Sequence, residues 1–193
     1  MCNAWCYDFV RATLADWPAA ARVLEAGSLN VNGSPRDVCA GHYATYLGID
    51  LVPGPGVDAV LDVTRVGERF PEHFDVALST EMLEHVADWR AALRALLGAL
   101  RVGGLLVLTT RSPGFEYHPY PEDNWRFTAA HMRRIFPPGD AVALLRLAHD
   151  PDLRQGRPSG VGVVVRRLAA DLGPWAAALA ALTAYNVHTG GEA

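Results

Sequence analysis

At 193 residues the chain is long enough to bury a sizeable core and reads as one domain, residues 1–193. Half of it is hydrophobic, the net charge is −4 and every basic side chain is Arg, which removes a broad electrostatic footprint for nucleic acid and excludes lysine Schiff-base and P-loop lysine chemistry. Asp8 interrupts the N-terminal stretch where a signal peptide needs its apolar region, and no apolar run reaches the roughly 20 residues that span a bilayer, so a chain without membrane partner is expected.

In chain order, Trp5, Phe9, Val10 and Leu14 recur at helical spacing and predict a helix over 3–16, ended by Trp17-Pro18. This segment, 1–18, is read as an N-terminal helix or lid. Val23 and Leu24 sit in a short apolar run that predicts the first strand. Glu25 follows, and then a loop of small and amide residues, Gly27, Ser28, Asn30, Asn32 and Gly33. Gly27 permits a tight turn or a close ligand approach, and asparagine tolerates left-handed dihedrals. Ser34-Pro35 supplies an N-cap and first-turn proline for a helix over 36–40.

The second strand, 46–50, ends in Asp50, 25 positions after Glu25, where a carboxylate accepts from both hydroxyls of a ribose. Strand, loop, helix and acidic residue together predict the start of a nucleotide-binding α/β fold, against the plainer reading of a tight turn. Leu29 stands where a G-x-G-x-x-G loop has its second glycine. That departure speaks against a pyrophosphate held to the backbone and leaves room for an adenosyl group without phosphates.

Beyond the stiff loop 53–56, the sequence predicts strands over 57–63, 74–79 and 105–110. An amphipathic helix over 87–100 precedes Arg101 and a Gly103-Gly104 turn. Thr128 caps an amphipathic helix over 129–136. Residues 141–149 and 161–168 read as strands joined by the polar stretch 151–159, a hairpin at one sheet edge. Residues 175–187 predict a terminal helix, free to cap the core or join two subunits, so that monomer and homodimer both stay open. The alternation predicts a doubly wound, mostly parallel sheet.

Cys2, Cys6 and Cys39 form no even-numbered framework, which favours a reduced cytoplasmic setting. Cys2-x3-Cys6 with Cys39-x2-His42 offers four zinc ligands in principle, but the spacings match no familiar zinc unit, and free thiols are expected. Glu81, Glu84 and His85 follow the fourth strand. In a helix Glu81 and His85 would share a face, yet further ligands at helical spacing are missing, so no metal is expected and structural support outweighs direct chemistry.

Taken in order, VLEAGSLNVNG, the strand ending in Asp50, Asp62 in AVLDV, FDVALSTEMLEHV, LRVGGLLVLTT and SPGFEYHPYPEDNWRFT give the chain a resemblance to class I S-adenosylmethionine-dependent methyltransferases, from about Ala21 to Leu168. The last segment is similar to the Pro-rich, aromatic insert that follows the fifth strand in a subset of type 11-like members. The resemblance implies a Rossmann-like, seven-stranded sheet with an antiparallel last strand.

It also implies cofactor roles. Gly27 with Ser28 would approach the methionine part, and Glu25 would lie near the cofactor's amino group or order the loop around it. Asp50 would bind the ribose diol, with Leu51 beside it. Asp62 would accept from the adenine amino group, with the Val63 N–H donating to the ring, although a turn-forming Asp is the competing reading. Ser79 and Thr80 would lie beneath the sulfonium.

The insert, 111–128, overhangs the carboxyl ends of the strands and is expected to shape the acceptor pocket. Phe115, Tyr117, Tyr120, Trp125 and Phe127 would wall it, and Glu116, His118, Glu122 and Asp123 are candidate proton acceptors. His118 is the first choice because its ordinary pKa lies near neutrality. Arg126 would pair with an anionic group of the acceptor; alternatively Trp125 and Phe127 pack on the core and Arg126 holds a carboxylate of its own loop.

The implied reaction is in-line methyl transfer from S-adenosylmethionine to a small-molecule hydroxyl, amine or carbon, a sugar or secondary metabolite by preference, with S-adenosylhomocysteine as product. A cofactor-binding enzyme that catalyses cyclisation or rearrangement, and a non-catalytic partner subunit, are the competing readings. A nicotinamide oxidoreductase is disfavoured by Leu29.

Overall fold

The computed structural model describes residues 3–154 and 156–193; Cys2, one of the four candidate zinc ligands, lies outside them. Helix α1 (Ala4–Arg11) leads through a 3₁₀ turn at Leu14–Asp16 into β1 (Ala21–Ala26). α2 (Pro35–Val38), β2 (Tyr43–Asp50), β3 (Ala59–Val60), a 3₁₀ turn at Val63–Arg65 and α3 (Val66–Arg69) follow. β4 (Phe74–Thr80), a 3₁₀ turn at Leu83–His85, α4 (Trp89–Ala99) and β5 (Leu100–Arg111) complete the first half of the fold. The remainder is β6 (Trp125–Arg126), α5 (Ala129–Ile135), β7 (Val142–His149), a short ribbon of β8 (Leu153–Arg154) and β9 (Arg157–Pro158), β10 (Gly160–Arg167), α6 (Gly173–Ala180), β11 (Tyr185–Asn186) and β12 (Gly191–Glu192).

Seven strands form one sheet in the order β3-β2-β1-β4-β5-β10-β7. β1 to β5 run parallel, and β10 enters antiparallel between β5 and β7. The seven-stranded sheet and its antiparallel strand are therefore present, with the hairpin's second strand inside the sheet and its first at the edge. Strand order reverses between β1 and β4, which opens a crevice at the carboxyl ends of the central strands.

Period-two alternation distributes the apolar residues to both faces. Leu24, Ala77, Leu106, Leu108, Val161, Val163 and Val165 join the larger core under α4, α5 and α6. Val23, Val76, Leu78, Leu105, Val107 and Val164 face Phe9 and Val10 of α1. β4 is buried at every residue, as a central strand covered on both sides must be.

Four elements differ from the sequence reading. The N-terminal helix stops at Arg11, and Thr13 turns its hydroxyl onto the Val10 carbonyl at 2.7 Å. The third strand shrinks to two residues because Asp58 is tied to Gly48 on β2, accepting its N–H at 2.7 Å, and because Asp62 caps the following turn. Gly103-Gly104 is no turn before a strand: pairing jumps from Phe74–Leu100 to Val76–Leu105, so the two glycines lie in an irregularity within β5. The terminal helix ends at Ala180, after which the chain turns back and Tyr185 pairs with Arg126 of β6.

Candidate functional site

The ends of β1 and β2 meet at the glycine loop. Gly27 has φ +79°, and its N–H and that of Ser28 both donate to the Ile49 carbonyl at 3.0 Å. A Cβ at Gly27 would stand 2.6 Å from Met82 Cγ, so the close approach and the dihedral both require glycine. Asp50 and the loop are joined directly: its Oδ2 accepts the Leu29 N–H at 3.2 Å, and its Oδ1 the Val52 N–H at 3.4 Å. Residues 53–56 lie against the same loop, with the Asn30 N–H donating to the Pro55 carbonyl at 2.8 Å. Leu51, beside Asp50, is 60% exposed.

Glu25 points elsewhere. It is buried and accepts the Tyr46 hydroxyl at 2.8 Å; burial pushes its pKa up to about 7, against the opposing effects of that bond and of Arg36. Its neighbours lie on β2 and α2: Tyr46 by hydrogen bond and Arg36 by charge. Asp62 Oδ1 accepts from both the N–H and the hydroxyl of Thr64 at 2.8 Å, the turn-forming arrangement, while its Oδ2 is not used in either bond. Val63 is buried against the core. Ser79 and Thr80 are buried at the end of β4, and among the described residues the Ser28 and Ser79 hydroxyls have no hydrogen-bond partner.

Past Thr80 the chain does not continue as a helix. Glu81 adopts φ +53°, a strained conformation for a residue with a side chain, and a 3₁₀ turn covers Leu83–His85. Glu81 and His85 consequently share no helical face. Glu81 instead ion-pairs with Arg111 at the end of β5 and accepts from the Cys6 thiol of α1 at 3.4 Å. Burial raises the Glu81 pKa, with Cys6 and Glu84 adding to it and Arg111 opposing. Asn3 donates to Asp150 at 2.7 Å, which brings α1 down over the carboxyl ends of β4 and β5. Arg111, Asp150, Asn3 and Thr109 carried no functional signal in sequence, because each acquires its polar neighbours across 30 to 147 residues.

Glu84 is fully buried, and its Oε2 accepts the Thr110 hydroxyl at 2.8 Å. Its Oε1 faces His118 Nε2 at 3.7 Å and His85 Nε2 at 3.9 Å. Burial resists the charge, but His118 and His85 outweigh it and hold the Glu84 carboxyl below its usual range. His118 Nδ1 lies 3.1 Å from Asp123, whose carboxylate also accepts the His118 backbone N–H at 2.9 Å. Burial again opposes the charged form, and Asp123 and Glu84 overcome it to push His118 up to about 9. The near-neutral pKa that recommended His118 as a base is displaced upward by its two carboxylate neighbours.

The insert builds less of a pocket than expected. Trp125 and Phe127 belong to the core; the Trp125 indole donates to the Val86 carbonyl at 3.0 Å, and Phe127 meets Trp89 edge-on at 5.5 Å. Arg126 is buried and fully engaged, ion-paired to Asp123 and donating to the carbonyls of Phe115, Glu116 and Trp125. The acceptor-binding roles of Trp125 and Arg126 give way to the loop-ordering alternative, since buried charge this well satisfied has no donor to spare. Tyr120, Glu116 and Glu122 are exposed, while Tyr117, also exposed, lines a cavity of about 500 Å³ with Pro113, Phe115, Arg126 and His131; Phe115 is half-buried between Arg111 and His118.

Cys6 and Cys39 are both buried, and burial, with the Glu25 charge adding to it, pushes the Cys39 thiol up to about 12. Among the described residues no helix is long and apolar enough to cross a membrane.

Comparison with known proteins agrees with this architecture. A family model for a methyltransferase domain matches residues 4–154. A ubiquinone biosynthesis O-methyltransferase of Pseudomonas fluorescens (strain SBW25) is 31% identical over 106 residues, 48% of this chain and 45% of that protein; the chain thus spans under half the length of the curated relatives it matches. Burkholderia thailandensis 1,6-didemethyltoxoflavin-N1-methyltransferase, solved with 1,6-didemethyltoxoflavin and S-adenosylhomocysteine bound, superposes with TM-score 0.63 at 14% identity, covering 86% of this chain and 78% of that one. The N-methyltransferase NodS of Bradyrhizobium japonicum WM9 superposes with TM-score 0.59 at 17% identity, covering 86% and 95%. The strand order gives the fold of the class I S-adenosylmethionine-dependent methyltransferases, and by its sequence match the chain belongs to the methyltransferase domain family.

Proposed function

We propose that this chain is a methyltransferase that uses S-adenosylmethionine and modifies a small molecule. The observation that carries the reading is the direct junction of Asp50 with the Gly27–Leu29 loop at the strand-order reversal. The residues present fit the cofactor. Gly27 offers a backbone cradle that a Cβ would fill, and the buried Ser28 and Ser79 hydroxyls have bonding capacity unused by the protein. Asp50 keeps lone pairs for a ribose diol, Asp62 Oδ2 keeps an acceptor for an adenine amino group, the Val63 N–H would donate to the ring beside exposed Leu51, and Ser79 and Thr80 would lie beneath the sulfonium. Glu25 orders the loop from below.

When bound, the cofactor supplies a sulfonium-activated methyl group, which passes to the acceptor by in-line displacement. The chain's own contribution is alignment and a dry site. α1, held by Cys6 to Glu81 and by Asn3 to Asp150, covers the carboxyl ends of β4 and β5 and excludes water there. The exposed insert residues Tyr117, Tyr120 and Glu122 are left to meet the acceptor's outer parts. A compact acceptor suits a net negative chain, and a small-molecule O- or N-methyltransferase is the kind of protein its relatives are named for.

Calorimetric titration with S-adenosylmethionine, S-adenosylhomocysteine and NAD tests this reading. Binding of both adenosyl ligands but not NAD, lost in Asp50→Ala with an unchanged circular dichroism spectrum, is expected. A folded, ligand-free chain that binds neither adenosyl compound overturns it.

A further inference from the structure

We propose that Glu84, His85 and His118 form a site for a first-row divalent cation, Zn²⁺ in the first instance, at the acceptor side of the crevice. The carboxylate oxygen of Glu84 and one ring nitrogen of each histidine all lie within 4.8 Å of one another. Glu84 Oε1 to the two Nε2 atoms measures 3.7 and 3.9 Å, too long for hydrogen bonds. A cation about 2.0–2.2 Å from each ligand sets neighbouring ligand atoms roughly 3–3.5 Å apart, so small side-chain rotations close the site. Among the described residues, buried Glu84 Oε1 and His118 Nε2 have no hydrogen-bond partner.

The surroundings orient these atoms as metal ligands are oriented. A ligating histidine ordinarily gives its second ring N–H to a carboxylate or a backbone carbonyl. Here His118 Nδ1 faces Asp123 at 3.1 Å, and His85 Nδ1 lies against the Glu122 carbonyl. A proton on His85 Nδ1 leaves that ring's Nε2 facing Glu84 Oε1, and His118 Nε2 faces the same oxygen. Glu84 Oε2 is fixed by Thr110, and Asp123 by Arg126. Glu84 and His85 are thus held from behind, and Asp123 stands behind His118.

Two imidazoles and a carboxylate leave coordination positions open, the pattern of catalytic rather than structural sites. Both histidines are partly accessible, so a hydroxyl of the acceptor can reach the cation and lose its proton to solvent more readily there. This role rests on the methyltransferase reading; cation binding does not. The sequence argument against a metal considered ligands at helical spacing, whereas the third ligand comes from the insert, 33 residues beyond His85.

The chain is stripped with chelator and titrated with ZnCl₂ by calorimetry, and with CoCl₂ by visible absorption. One equivalent of each cation is expected, with Co²⁺ bands of an imidazole-ligated ion. Glu84→Gln and His118→Gln should each weaken Zn²⁺ binding by about 10- to 100-fold, and Cys6→Ser and Cys39→Ser should leave it unchanged. Circular dichroism confirms folding, and the partly exposed His118 variant decides the matter where buried Glu84→Gln does not fold. No binding by the folded chain, unchanged binding in His118→Gln, or loss of binding in a cysteine variant overturns the proposal. S-Adenosylhomocysteine is titrated separately: its binding without Zn²⁺ binding overturns the cation site alone, and the converse overturns the cofactor reading alone.

Discussion

Glu25 shows how one side chain couples the candidate site to stability. Buried at the end of β1, it has a folded pKa of about 7 against an ordinary 4.5, with burial as the main cause. A raised carboxyl pKa contributes stability that is complete below the unfolded value and is lost as pH rises through the folded one. Ionisation of Glu25 in the unfolded chain alone therefore erodes stability between about pH 4.5 and 7, by about 2–3 kcal/mol. Glu25→Gln keeps an oxygen for the Tyr46 hydroxyl and has no charge to bury. Urea denaturation at pH 5 and pH 8 should show the natural chain losing about 2–3 kcal/mol more than the variant over that interval. Parallel pH profiles of the two proteins would sink the account. The sequence proposed Glu25, Gly27 and Asp50 for the site, because their local order along the chain already implies a strand, a turn and a second strand. The engagement of Arg126 with Asp123 was one of two readings, since a guanidinium chooses between its own loop and a ligand only once burial is known.

At the scale of elements, the insert and α5 behave as one unit. Thr128 accepts the His131 N–H at 3.1 Å while His131 Nδ1 accepts the Thr128 N–H at 3.2 Å, a reciprocal cap that fixes the helix entry directly after β6. Thr128→Ala should cost about 1 kcal/mol and lower Tm by about 2–4 °C, and Thr128→Ser should restore most of it. Differential scanning calorimetry of the three proteins checks this; a Thr128→Ala variant melting with the natural chain would show that the cap contributes nothing. The sequence revealed this cap because capping is local. It did not reveal the early end of α6, where Ala and Leu composition favours continuing a helix. There the chain forms contacts with distant partners instead: Arg90 donates to the Leu182 carbonyl, and Tyr185 pairs with β6.

Across the whole molecule, Arg167 ties the sheet to its helical layer. It leaves β10 buried and donates to the carbonyls of Leu97, Leu100, Ala169 and Ala170 and to the Glu72 carboxylate. These groups include the Leu97 carbonyl near the end of α4, which also accepts the Leu100 N–H, and the Leu100 carbonyl where the helix passes into β5. Arg167→Met fills a similar volume but removes all of these bonds at once, so a loss of about 3 kcal/mol or more is expected. The urea midpoint should fall with the slope unchanged; a midpoint within error of the natural chain's would refute the argument.

The sequence by itself determined the alternation of strands and helices, the seven-stranded family resemblance and the acidic residues closing the first strands. Those features depend on periodicity, turn chemistry and spacing over a few tens of residues. Only the tertiary structure decided that Trp125 and Arg126 serve the insert's own packing, that Glu81 turns away from a helical path, and that His118 stands opposite Glu84. Each depends on burial and on partners far along the chain, where the energy of a charge or hydrogen bond is set by what surrounds it and not by its neighbours in sequence.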